Sequence, residues 1–205
     1  MKRLNKYLFS FLLSLLPTLV FGQHLSVKGV EIDGPADSFI SKMKAKGLKN
    51  VSEANKDGVT VLKGTFAGHD DSYFFIYHQN DLVSKVSILL PGMENWKDVK
   101  SEYLSLKESY TEKYGVKPNS IERFKYNQQE YSGIEYIYLE NGQAEYLSGF
   151  TVDGGIIQLS IKYFDASVAS TLWRGIGYKG KYAVVILYVD EENEASKQES
   201  YIDDL

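Results

Sequence analysis

The stretch WKDVKSEYLSLKESYTEKYG, residues 96–115, decides the fold. Trp96, Val99, Tyr103, Leu106, Tyr110 and Tyr114 recur at spacings of 3, 4, 3, 4 and 4, which puts all six on one stripe of a helix, and Gly115 followed by Pro118 stops it. A row of aromatics at helical spacing is read here as a face that packs on a sheet, not as a cofactor box.

Upstream, Asp33-Gly34-Pro35 opens a shorter helix. Pro35 suits the first helical position, Ala36, Phe39, Ile40 and Met43 make its apolar face, and Gly47 closes it. Runs rich in Val, Ile, Tyr and Phe at 25–32, 59–67, 72–79, 82–90, 121–127, 133–140, 143–152, 155–164 and 181–189 read as strands. Asn80-Asp81, Asn141-Gly142 and Asp153-Gly154 tolerate the positive φ of tight hairpin turns, so the sheet is expected to be antiparallel and meandering. A further short helix is expected over 166–173, between Asp165 and Gly175. The predicted class is α+β: two helices packed on one face of a mainly antiparallel sheet.

Sliding the chain on itself by 73 residues aligns Tyr73 with Tyr146, Tyr77 with Phe150, Asn80 with Asp153, Val86 with Leu159, Ser87 with Ser160 and Ile88 with Ile161. A shift of 68 matches Lys46-Gly47-Leu48-Lys49 with Tyr114-Gly115-Val116-Lys117. Both halves then read as a duplicated α-β-β-β unit, one over about 25–92 and the other over about 93–189 of a single 23–189 domain. Chance matching of two amphipathic hairpins is the competing explanation.

That order resembles the tandem helix-on-sheet fold of β-lactamase-inhibitor proteins and PepSY-like exported modules. The segment Ile32-Asp33-Gly34-Pro35-Ala36-Asp37-Ser38-Phe39 through Lys46-Gly47-Leu48, followed by Gly64-Thr65-Phe66-Ala67-Gly68, is also similar to a set of small uncharacterised bacterial exported proteins. The likeness covers about residues 25–165 and is one of order and spacing. It implies a noncatalytic binding or inhibitory role and carries no functional residue across.

Residues 1–22 read as a signal peptide. Lys2, Arg3 and Lys6 form a basic start, Tyr7 to Phe21 an apolar stretch interrupted by Pro17, and Val20 with Gly22 the small-residue pattern of a cleavage site near Gly22/Gln23. Fifteen apolar residues fall short of the roughly 20 that span a bilayer, so no stable membrane insertion is expected after cleavage. The expected location is periplasmic or secreted. The chain has no Cys, which excludes a lipoprotein anchor, a disulfide, a Cys-ligated zinc and a thiolate nucleophile.

The leader carries three basic residues and no acid, so the mature chain has 20 basic against 27 acidic residues, a net of -7. Residues 190–205, DEENEASKQESYIDDL, hold -6 of that and read as an acidic flexible tail. The body, at -1, has no basic stripe for phosphates, and nucleic-acid partners are excluded.

Catalytic patterns are weak throughout. Gly175-Ile176-Gly177-Tyr178-Lys179-Gly180 matches GxGxxG, but it follows a helix and enters a strand, the reverse of a dinucleotide site. His69 beside Asp70 and Asp71 reads as a solvated turn, and His24 and His78 lie elsewhere. Ser41 and Lys44 match Ser-x-x-Lys without its companion motifs. No cofactor and no metal are expected, and the chain is read as a non-enzyme.

Surface recognition remains, by a protein or glycan partner. Strand alternation places Tyr136 and Tyr138 on one face, and Tyr182 and Tyr188 on one face of another strand. If that face is the one without helices, these rings form a binding platform; the competing reading makes them core. Trp173, Arg174 and Tyr178 flank a glycine-rich connection and carry the side chains that dominate binding hot spots, or else Trp173 plugs the core edge. Two alternatives stand beside this reading: a carrier holding an apolar ligand against the second helix, and a carbohydrate hydrolase using an acid pair among Glu135, Glu140 and Glu145.

Overall fold

The computed structural model describes residues 23–126, 129–164 and 180–196. Along the chain run a small hairpin, β1 (Ser26–Val27) and β2 (Val30–Glu31), then helix α1 (Ala36–Ala45) and strands β3 (Lys49–Asn50), β4 (Val59–Phe66), β5 (His69–Gln79) and β6 (Leu82–Leu89). Helix α2 (Trp96–Tyr114), β7 (Asn119–Phe124), the short helix α3 (Glu135–Glu140), β8 (Ala144–Val152), β9 (Gly155–Tyr163) and β10 (Tyr182–Asp190) follow.

Helix α2 begins where the Asn95 side chain accepts a hydrogen bond from Asp98 N at 2.9 Å, and ends where Gly115 takes the left-handed conformation at φ 66. Its stripe is buried as the spacing requires: Trp96, Val99, Tyr103, Leu106 and Tyr110 all face inward. Helix α1 buries Ala36, Phe39 and Met43 in the same core, so both helices cover one face of the sheet. Phe74, Ile76, Ile88, Phe150 and Ile157 meet them from the strands, each fully buried apolar side chain contributing about 1.5–3 kcal/mol.

Eight strands form one sheet, ordered β3-β4-β5-β6-β10-β9-β8-β7, with every adjacent pair antiparallel. The order reads alike from either edge: a helix, a strand at the rim, and a meander inward to the central β6·β10 seam. Each half therefore holds four strands after its helix, not the three expected. The 73-residue offset superposes β5–β6 on β8–β9, whereas the strands at mirrored positions about the seam are β5 with β9 and β6 with β10. It also pairs Tyr73 and Tyr77, on the helix-free face, with Tyr146 and Phe150, which lie under the helices. The cause is a bulge: Tyr77 pairs with Lys85 but His78 with Val83, leaving Ser84 extra and slipping one strand by a residue.

Several local expectations are corrected. Residues 133–140 are not a strand but a turn into α3, and Asn141-Gly142 links α3 to β8 rather than joining two strands. Residues 25–32 form a two-stranded hairpin of their own, turning at Lys28-Gly29. Pro35 stands one step before the helix, in extended conformation. Residues 191–196, expected to belong to a flexible tail, are helical. Asp190 is buried and accepts hydrogen bonds from Leu25 N at 2.9 Å and Asn193 N at 3.0 Å, while Asn193 Nδ2 donates to Ile32 O and Val83 O. These bonds tie the first strand to the end of the last. Gly154 lets the two approach, since a Cβ there would stand 2.2 Å from Gln23 O.

Candidate functional site

The helix-free face of the sheet is not uniform. Alternation sends Tyr146, Phe150, Ile157 and Leu159 toward the helices, so Ile121, Leu147, Gly149, Ile156, Gln158 and Ser160 point the other way. Cross-strand pairing lines them up in rows: Ile121 opposite Leu147 opposite Ser160, and Asn119 opposite Gly149 opposite Gln158. Together they floor a groove of about 450 Å3, which Leu139, Glu140 and Gly142 bound at the α3 end, with a shallower extension of about 200 Å3 over Asn119, Gly149 and Ile156. Gly149 supplies the depth of that extension, because no side chain rises from the middle of the row. Ile121 and Ile156 are 40% and 39% exposed.

Charge gathers at one rim. Glu145 pairs with Arg123 at 3.2 Å and Lys125 at 3.3 Å, and these cations hold its carboxyl below the usual carboxylate range. Next along the chain, Tyr126 is 80% exposed, and Tyr131 is 63% exposed. Both backbones are left-handed, at φ 56 and 63, a conformation bulky residues seldom adopt. Between them Glu130 pins the turn to α2, accepting from Trp96 Nε1 at 2.7 Å and Lys100 Nζ at 2.5 Å. Nothing in residue spacing singled out Tyr126, at the end of the run 121–127 read as a strand, or Tyr131, in the gap before the run 133–140.

The expected tyrosine platform is corrected. Tyr182 and Tyr188 do share a face, but it is the helix-covered one, and both are buried. Tyr188 OH meets Tyr110 OH at 2.5 Å, and burial pushes both phenols well up. Tyr182 packs edge-on to Trp96 at 5.9 Å; burial, aided by the nearby charge of Glu135, pushes its phenol up to about 12. Tyr136 and Tyr138 lie on α3. Tyr138 is buried edge-on to Phe124, and Tyr136 stacks obliquely on Tyr163, which in turn touches Tyr182. The structure thus unites Tyr136 and Tyr182 as packing neighbours and leaves Tyr188 at the other end of its strand. Trp173, Arg174 and Tyr178 lie outside the described residues, as does the helix expected over 166–173.

The chemistry-bearing motifs have structural partners. His69 Nε2 lies 2.8 Å from Glu102 Oε1 on α2, Asp70 accepts from Thr65 Oγ1 and Asp71 pairs with Lys63, so the three point to three different places. Among the described residues no group of three or more His, Asp or Glu is arranged for a metal. Of the GxGxxG string only Gly180 is described, and a Cβ there would fall 2.5 Å from Gly92 C, a close approach of two backbones. Glu135 is buried and accepts from Gly133 N, while Glu140 and Glu145 line the groove. Beneath α2, Tyr103 OH bonds Ser148 Oγ at 2.6 Å and Glu122 Oε1 at 3.1 Å, and burial pushes this phenol up too. The aromatic stripe of α2 is spent on packing.

Compared with known proteins, the chain matches no family model, no curated protein and no solved structure.

Proposed function

We propose that this chain is an exported, noncatalytic binding protein that meets a partner polypeptide on the helix-free face of β7, β8 and β9. One observation carries the reading: on that face the half of the sheet from β4 to β6 is buried, while the other half presents a groove of about 450 Å3 floored by aliphatic, amide and hydroxyl side chains. Interface cores combine such groups, and a single-domain surface seldom leaves an apolar row open without a use for it. The export reading rests on residues 1–22, and the inhibitor-like reading on the order of helices and strands described above. Ion pairing with Arg123 and Lys125 keeps Glu145 ionised, which unsuits it to the general-acid half of a glycosidase pair.

Native mass spectrometry of the protein isolated gently from its own host tests this. The expected result is a complex with a second polypeptide that is absent for the double variant Ile121→Asp/Ile156→Asp at unchanged melting temperature. A bare chain, or a complex indifferent to that variant, contradicts the proposal.

A further inference from the structure

The two rims of the sheet are finished differently. At one, β3 is two residues long, and the chain from 51 to 55 takes up the backbone of β4 beyond it: Val51 N donates to Val61 O at 2.9 Å, and Asn55 Oδ1 accepts from Val61 N at 2.8 Å. At the other rim β7 runs for six residues, Asn119–Phe124, with no bulge against β8. Lys125 N donates to Gln143 O at 2.7 Å in register with that ladder, so Arg123, Ile121 and Asn119 also turn their N–H and C=O groups toward β8. Ser120, Glu122 and Phe124 turn theirs outward, and among the described residues no strand pairs with them. Such a row is a template for another strand. Its charges do not guard it as lone charges would, because Glu122 is paired with Lys107 at 2.5 Å and Arg123 with Glu145 at 3.2 Å. Helix α2 packs mainly over β9 and β10, and β9 already lies two strands, about 10 Å, inside the edge, so the helix backbone stands back from it.

A second copy of the chain is an occupant whose register β7 itself specifies. Two copies related by a two-fold axis normal to the sheet pair β7 with β7 antiparallel, and the pleat requires helix-side residues to stand opposite helix-side residues. Ser120 and Glu122 are on that side, bonded to Ser148 and to Tyr103 and Lys107, so the axis passes through a residue and not between two. Centred on Glu122 or Arg123, like charges meet across it, which is destabilising. Centred on Ser120, Pro118 falls opposite Glu122 with no N–H to give, and centres nearer either end leave most of the strand unpaired. Centred on Ile121, Ser120 and Glu122 exchange backbone bonds with Glu122 and Ser120 of the second copy. Asn119 then stands beside Arg123 of the second copy, and the two Ile121 side chains, each 40% exposed in the single chain, cover each other. The like-sign approach of Lys117 to Lys125 of the second copy lies beyond the ladder, where Glu145 holds Lys125 at 3.3 Å. We propose that the chain pairs with a second copy through β7, centred on Ile121, to make one continuous antiparallel sheet. The row Ser160, Leu147, Ile121 then runs unbroken across the axis, and the two open grooves join into one two-fold surface. This inference does not rest on the function proposed for that face.

Sedimentation equilibrium and amide hydrogen exchange on the full mature chain, purified alone, test this. On concentration the mass is expected to approach twice that of one chain, and the amides of Ser120, Glu122 and Phe124 to exchange at least about tenfold more slowly than in dilute samples. Those of Ile121 and Arg123, bonded to β8 in either state, should not change. Ile121→Asp is expected to abolish both effects. Asn119→Asp, which sets a carboxylate beside Arg123 of the second copy, should instead tighten association severalfold, a gain that poor folding cannot mimic. A single chain at every concentration would overturn the proposal. So would a dimer that leaves the outward amides unprotected, or one that Asn119→Asp weakens. No other polypeptide is present, so each of these outcomes is separate from the result for a partner isolated from the host.

Discussion

One cross-strand row on the helix-free face passes through Val61, Phe75, Ser87, Leu187, Gln158, Gly149 and Asn119, and its two ends have opposite fates. At the first end Val61 and Phe75 are 1% and 2% exposed, clustered with Tyr73, Leu89 and Ala183. The chain from 51 to 55 covers them: Val51 N and Asn55 Oδ1 both bond to the backbone of Val61, bringing Val51 and Ala54 over the face. At the other end no described segment plays that part, and Gly149 and Asn119 border open grooves. The same backbone geometry thus yields a second small core on one side and an open groove on the other. What decides between them is the residue after the edge strand: β3 runs on into a folded-back turn, whereas β7 leads away to α3.

Several measurements can break or sharpen that contrast. Phe75→Ala should cost about 3–5 kcal/mol in urea unfolding, against no more than about 1 kcal/mol for Ile156→Ala. Equal losses would mean that both ends of the row are packed alike. Tyr103→Phe should cost about 1–2 kcal/mol, because Ser148 and Glu122 each lose a buried partner. That loss would show the second half to be rigidly built on its helix side, so that openness is confined to its other face.

Acid unfolding probes the turn carrying Tyr126 and Tyr131. Burial acts to raise the Glu130 pKa, but hydrogen bonds from Lys100 and Trp96 outweigh it and leave the carboxyl below its ordinary value. A folded-state pKa lowered in this way stabilises fully above the unfolded value, about 4.3, and the contribution is lost as pH falls through the folded one. Glu130→Gln should therefore cost at most about 1 kcal/mol at pH 7 and flatten the fall of melting temperature below about pH 5. The smallest effect is expected at the groove rim, where a double-mutant cycle on Arg123 and Glu145 should give a coupling of about 0.5 kcal/mol or less that salt removes.

The α2 stripe and the antiparallel meander were legible in the sequence because both rest on periodicity that extends over many residues. The turns at Asn80-Asp81 and Asp153-Gly154 were legible for a different reason: both residues of the first, and Gly154 in the second, adopt the positive φ their types tolerate. Residues 133–140 misled because Ile134, Tyr136, Ile137 and Tyr138 are types that favour strands, and a six-residue helix is too short to show its own period. The face on which Tyr182 and Tyr188 would fall was not legible, since alternation gives which residues share a side but not which side the helices take. The run from Asp190 looked solvated by charge alone, whereas Asp190 and Asn193 are buried by bonds to residues 25, 32 and 83, far away in sequence. The open groove was equally hidden, because it depends on which of the described segments fold back over β7 to β9 and which do not.

The most direct test of the two-ended row is a photo-crosslinking side chain placed in living cells at position 156 on the open face and, separately, at the exposed position 97 on α2. The account predicts a discrete adduct with one partner polypeptide from position 156 and none from position 97. No adduct from 156, or the same adduct from both positions, would contradict it.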